Sequence, residues 1–262
     1  MAADCNLIER LHFSKELDRR FLLIVMPAKL NRLVFFSTLV IPAKRINDII
    51  QMNIKPEELT GKGYVLLDQM GHQELVPFIR MYMSKKTAYR TWYYLCNFII
   101  FGLAGYLMVS GYGKADFHLG NRVTHFCYGL AIALTLVPLH EFIHVLAYRS
   151  QGASNTSYDA NIKKFYFMAL ADKFVANRKE FTIVALAPFL IITATLLILL
   201  FIVRNDWTLT IAGILLAHTA MCSGDFGLLS YFEYHKNKEV VTYDDVANKI
   251  TYFYGKETEK VA

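Results

Sequence analysis

Two histidines four residues apart, with a glutamate directly after the first, interrupt an apolar run: His140-Glu141-Phe142-Ile143-His144. Residues at this spacing share a helix face, one turn from each other. Two imidazoles so placed can grip one Zn²⁺, and the glutamate can take a proton from water that the ion activates. The plain alternative is two core histidines and a glutamate hydrogen-bonded between helices. It leaves a buried carboxylate without a cation, at a cost of several kcal/mol. A metal supplies the missing positive charge.

Catalytic zinc takes three protein ligands and keeps a position open. A second carboxylate in an apolar run, Asp225 in Ser223-Gly224-Asp225, is the first candidate for the third ligand. Depth is the test. If the runs holding the motif and Asp225 cross a bilayer in the same direction, His140, His144 and Asp225 all lie about 22–29 Å along their helices at 1.5 Å per residue. His218 is the rival. It precedes Asp225 by seven residues, about 10 Å along a continuous helix. The two cannot easily share one metal unless the helix breaks at Gly224. Gly224 and Gly227 also let this run approach a neighbour closely.

The elements that position these groups follow from composition. The chain has 262 residues, 55% apolar and 14% aromatic, with mean hydropathy +0.30. These values suit a small multi-span membrane protein. Four runs, at about 92–112, 125–148, 181–203 and 207–232, reach the roughly 20 residues a crossing needs, and Trp92, Tyr93, Tyr94, Trp207, Tyr231 and Tyr234 flank them as interface aromatics. The net charge of +6 gathers in alternate loops: Arg80, Lys85, Lys86 and Arg90 before the first run, six Lys and Arg between the second and third, Lys236 and Lys238 after the fourth. That alternation puts both termini and the central loop in the cytoplasm. No stacking-aromatic motif or basic helix reads as nucleic-acid recognition. Cys5, Cys96, Cys127 and Cys222 form no C-x-x-C pair, so free thiols are expected. The first residues do not read as a cleavable signal peptide.

The expected fold class is therefore mainly α: a polytopic membrane protein with about four transmembrane helices and a small mixed α/β N-terminal region. Residues 1–90 form that cytoplasmic region, 91–232 the four-helix membrane domain, and 233–262 a cytoplasmic tail. Within 1–90, Phe21–Met26 and Leu33–Ile41 have strand character, and 21–43 is a membrane-surface or re-entrant candidate rather than a fifth crossing, because Lys29, Arg32 and two prolines interrupt it. Residues 71–85 carry helical periodicity, with Pro77 suited only to a first turn. Gly152 is a C-cap signal for the motif helix. Loop 150–180 holds a candidate hairpin at 161–175, read either as a plain loop or as a strand edge that holds an extended peptide. Pro188 kinks the third run.

The motif helix ending at Gly152-Ala153, the Ala187-Pro188 span and the late Ser223-Gly224-Asp225 resemble the bacterial family of small multi-pass membrane proteins described as "putative zincin peptidase" and, more distantly, the site-2 protease group of intramembrane metalloproteases. In the site-2 group a glycine directly follows the aspartate, where this chain has Phe226. The resemblance implies a zinc-dependent membrane endopeptidase of the bacterial inner membrane. His140, His144 and Asp225 would bind Zn²⁺, Glu141 would act as general base, and a peptide or membrane protein would be the substrate. Two readings stand beside it: a non-proteolytic metal-binding membrane protein, transporter or structural subunit, and a membrane zinc hydrolase acting on a lipid or amide.

Overall fold

The apolar runs fold as helices. This computed structural model describes residues 21–23, 40–42, 54–110, 112–115, 117–161, 163, 166–203 and 207–257. Among them, four helical stretches are long and apolar enough to cross a membrane: Ala88–Val109, Leu119–Ser150, Arg178–Ile202 and Trp207–Tyr234. The chain divides into two units, Met1–Asn53 and Ile54–Ala262. In the first, β1 (Phe21–Leu23) pairs antiparallel with β2 (Val40–Pro42). The rest of the 21–43 segment lies outside the described residues, as does Cys5.

The second unit is mainly helical. Helix α1 (Leu75–Met83) follows a short 3-10 turn, so the helix starts four residues later than the periodicity over 71–85 suggests, and Pro77 falls in its first turn. Next come α2 (Ala88–Val109), α3 (Leu119–Ala133) and α4 (Val137–Ser150), the last two joined by one 3-10 turn. Helix α5 (Arg178–Ile202) begins in a capping box: the Asn177 side chain accepts from the Lys179 and Glu180 amides, and Glu180 accepts from the Asn177 amide. Helices α6 (Trp207–Met221) and α7 (Ser223–Tyr234) complete the set. Where α3 crosses α6, a Cβ on Gly129 would collide with the Thr210 carbonyl oxygen. Only glycine allows that approach.

Segments far apart in sequence build a four-stranded antiparallel sheet. Its order is β3 (Val65–Gly71), β8 (Ile250–Glu257), β7 (Lys238–Asp245) and β6 (Ala176–Asn177). Residues 238–257 are a hairpin whose second strand pairs with β3 from Val65↔Gly255 to Gly71↔Ile250. The sheet meets the helices through aromatics: Phe253 stacks on Phe78 of α1 at 5.4 Å and packs on Tyr231 of α7 at 4.4 Å.

A second, two-stranded ladder joins β4 (Thr156–Asn161) to β5 (Tyr166–Ala171). This hairpin starts five residues before the stretch expected from the sequence, because Gly152 (φ +104°) ends α4 with the Ala153 amide bonded back to the Tyr148 carbonyl, and extended chain follows at once. Several ties hold the hairpin down. Asp159 accepts from His72 Nδ1 at 2.9 Å and from Lys249 Nζ at 3.3 Å. Asp244 accepts from the Ala171 amide and the Thr251 hydroxyl, and Asp172 accepts from the Val246 amide.

Candidate metal centre

The three residues picked out in the sequence come together. His140 Nε2 lies 3.2 Å from Asp225 Oδ2, His144 Nε2 lies 3.1 Å from Asp225 Oδ1, and the two Nε2 atoms stand 3.1 Å apart. A tetrahedral zinc with bonds of about 2.0–2.2 Å has ligand atoms about 3.3–3.5 Å from one another. The observed spacing is within a few tenths of an ångström of that. The Glu141 carboxylate lies within 4.8 Å of both imidazoles, and its Oε2 is buried with no hydrogen-bond partner. Two nitrogen donors, a carboxylate and an unpaired buried oxygen beside them make a donor set that fits a zinc ion.

Irregularities in two helices aim these groups. His144 Nδ1 lies 3.0 Å from the Val184 carbonyl oxygen. A carbonyl can only accept, so Nδ1 carries the hydrogen and Nε2 keeps its lone pair for the site. That carbonyl is available because residue 188, four positions on, is Pro188, which has no N–H to give it. Proline is buried within α5, and its effect at the site is a freed acceptor.

The second irregularity separates α6 from α7. The helix does break, two residues before Gly224, at Cys222 (φ −68°, ψ 4°). Carbonyls at the end of α6 find partners on α2: Tyr93 Oη donates to Ala220 at 2.9 Å, and Asn97 Nδ2 approaches Thr219 at 3.5 Å. The break puts Asp225 in the first turn of α7, where amide dipoles favour a negative charge. It also carries the His218 ring to 5.7 Å from that of His140. Gly224 and Gly227 do permit a close approach, but to Ile79 of α1 rather than to another long helix.

A cavity extends from Glu141, His144 and Asp225 past Phe167 and Met168 of β5 to Asp244 and Thr251 of the sheet. Ala169 of β5 lines the same cavity as Glu141. Burial raises the Asp244 carboxyl above its ordinary range, against the lowering effect of the Thr251 and Ala171 hydrogen bonds. Sequence reasoning did not single out Val184, Ala169, Asp244 or Cys222. Only the spacing of Pro188 four residues after Val184 offered a local signal.

Residues 133–240 match the family model described as "Putative zincin peptidase". The matched segment contains the HExxH motif, Pro188, the helix break and Asp225, so every group at the centre falls inside it. No curated protein and no solved structure matches the chain. The family description suggests a zincin-type metallopeptidase, and zinc with it.

Proposed function

We propose that the chain is a zinc-dependent endopeptidase embedded in a membrane, with its site opening on the sheet side. The observation that carries this reading is the convergence of His140 Nε2, His144 Nε2 and the Asp225 carboxylate within 3.1–3.2 Å, beside the unpaired Glu141 oxygen. His140, His144 and Asp225 hold the ion, with the Val184 carbonyl keeping His144 in the tautomer that binds. When bound, zinc acidifies a water and polarises the carbonyl under attack. Glu141 takes the proton from the attacking water through its free oxygen and returns it to the departing amine.

A peptide is the favoured substrate because, among the described residues, β5 pairs in its ladder with β4 alone, and its Phe167, Met168 and Ala169 line the cavity that holds Glu141. An extended chain beside that edge would present a carbonyl to the site. The helices supply the membrane setting, and the alternation of basic loops supports cytoplasmic termini and access from the cytoplasmic face.

The test is Glu141→Gln. Gln is nearly isosteric but cannot accept the proton at neutral pH, so the variant keeps zinc and fold, and its hydrolysis falls by about 10²–10⁴. Membrane proteins and peptides cut in cells expressing the parent should accumulate in cells expressing the variant. Undiminished cleavage by Glu141→Gln would refute the mechanism.

A further inference from the structure

His218 is fully buried, and its ring stands 5.7 Å from that of His140. One turn on, Cys222 is also fully buried, with Sγ 3.9 Å from His218 Nε2. Nitrogen and sulfur on one tetrahedral zinc sit about 3.6 Å apart, given bonds of about 2.0–2.1 and 2.3 Å. His140 completes the group: it, His218 and Cys222 each offer a ligand atom within 4.8 Å of the other two.

We propose that His140, His218 and Cys222 form a second metal position, sharing His140 with the first, for a thiophilic divalent cation such as Zn²⁺ or Cd²⁺. One ion occupies one position or the other. In the second it is held by a thiolate and two imidazoles, away from His144 and Asp225, so the protein is loaded but inactive. Thiolate ligation selects soft ions over Mg²⁺ and Ca²⁺. On binding, the Cys222 S–H bond, now directed at the His218 carbonyl, gives its proton to solvent as the sulfur–metal bond forms. No electron is transferred. The proposal rests on the metal reading of the first site.

Cobalt(II) titration of the full chain in detergent tests it, because visible d–d absorption reports bound cobalt and a near-ultraviolet charge-transfer band reports a thiolate ligand. The parent should bind one ion per chain and show the thiolate band. Asp225→Asn, which weakens the first position, should strengthen the band. Cys222→Ser and Cys222→Ala should lose it while still binding one ion. Cobalt bound with no thiolate band in both the parent and Asp225→Asn overturns the second position and leaves the first intact. Two ions per chain overturn the sharing of His140. No binding by the parent removes both positions. The comparison of parent with Asp225→Asn leaves Cys222 untouched, so it holds even where a Cys222 variant fails to fold.

Discussion

Pro188→Ala separates the site from the stability of the helix that carries it. Alanine restores an N–H that can donate to the Val184 carbonyl, the acceptor that holds His144 Nδ1 at 3.0 Å. Loss of such a partner behind a metal-binding histidine costs about 10–100-fold in affinity. The lower end applies here, because a carbonyl has two lone pairs and His144 keeps a share of it. Zinc affinity should therefore fall about tenfold, or about 1.4 kcal/mol. Helix stability should move the other way or hold. Proline is about 3 kcal/mol worse than alanine in a helix interior, set against the lost packing of its buried ring. Competition with a zinc-binding dye would give the affinity, thermal unfolding of the metal-free protein the stability, and ¹⁵N spectra of labelled histidine the His144 tautomer. Unchanged zinc affinity would refute the argument. So would a joint fall in affinity and metal-free stability, which would mark general damage to the fold.

Removing the histidine common to both metal groups should differ from removing one that belongs to a single group. His140→Ala should lose zinc by elemental analysis, whereas His144→Ala should keep a weakened site that disappears when Cys222→Ser is added. Gly129→Ala drives a methyl into the Thr210 carbonyl and the Gly213 backbone; overpacking of this kind costs about 1–3 kcal/mol, read as a lower unfolding temperature in detergent. Burial alone would raise the Asp159 carboxyl, but the hydrogen bonds from His72 and Lys249 outweigh it and hold the group below its ordinary range. A lowered folded-state pKa means that this tie is fully present above the unfolded value near about 3.9 and is lost as pH falls through the folded value. Amide exchange over the β4–β5 hairpin, corrected for its intrinsic pH dependence, should show protection at pH 5 and opening only below about pH 4. Asp159→Asn should show reduced protection already at pH 5 and differ little from the parent where the parent has opened.

What was legible in the sequence depended on how local its cause was. The long helices follow from apolar runs, and the His140–His144 face follows from a spacing of one turn. Gly152 ends α4 as its conformational freedom suggests. Asp225 was legible because a carboxylate in an apolar run demands an explanation. The sheet was not legible, because β3 and β8 pair across most of the chain and neither strand contains its own reason for meeting the other. The same holds for the hairpin over the site: its ties run from Asp159 to His72 and Lys249, and from Ala171 to Asp244. The place of the break was missed for a different reason. Glycine is the usual signal, but the α6–α7 junction at Cys222 is supported from outside by Tyr93 and Asn97 of α2, and no local reading sees those donors.

The two helix irregularities solve one problem. A regular helix satisfies its own amides and carbonyls, so it has no backbone group to spare for a side chain. A site with two imidazoles and two carboxylates among apolar helices needs such groups, because each polar atom must be oriented or offset where water is scarce. Pro188 leaves one acceptor, and it faces His144. The break at Cys222 leaves amides at the start of α7, next to Asp225, and brings His218 to His140. An insertion that moved Pro188 one position along α5 would keep every proposed ligand yet turn the freed carbonyl about 100° around the helix, away from His144. On this reasoning such a chain would retain its four long helices and bind zinc more weakly than the Pro188→Ala variant, because the altered register would also displace the α5 surface packed against α4.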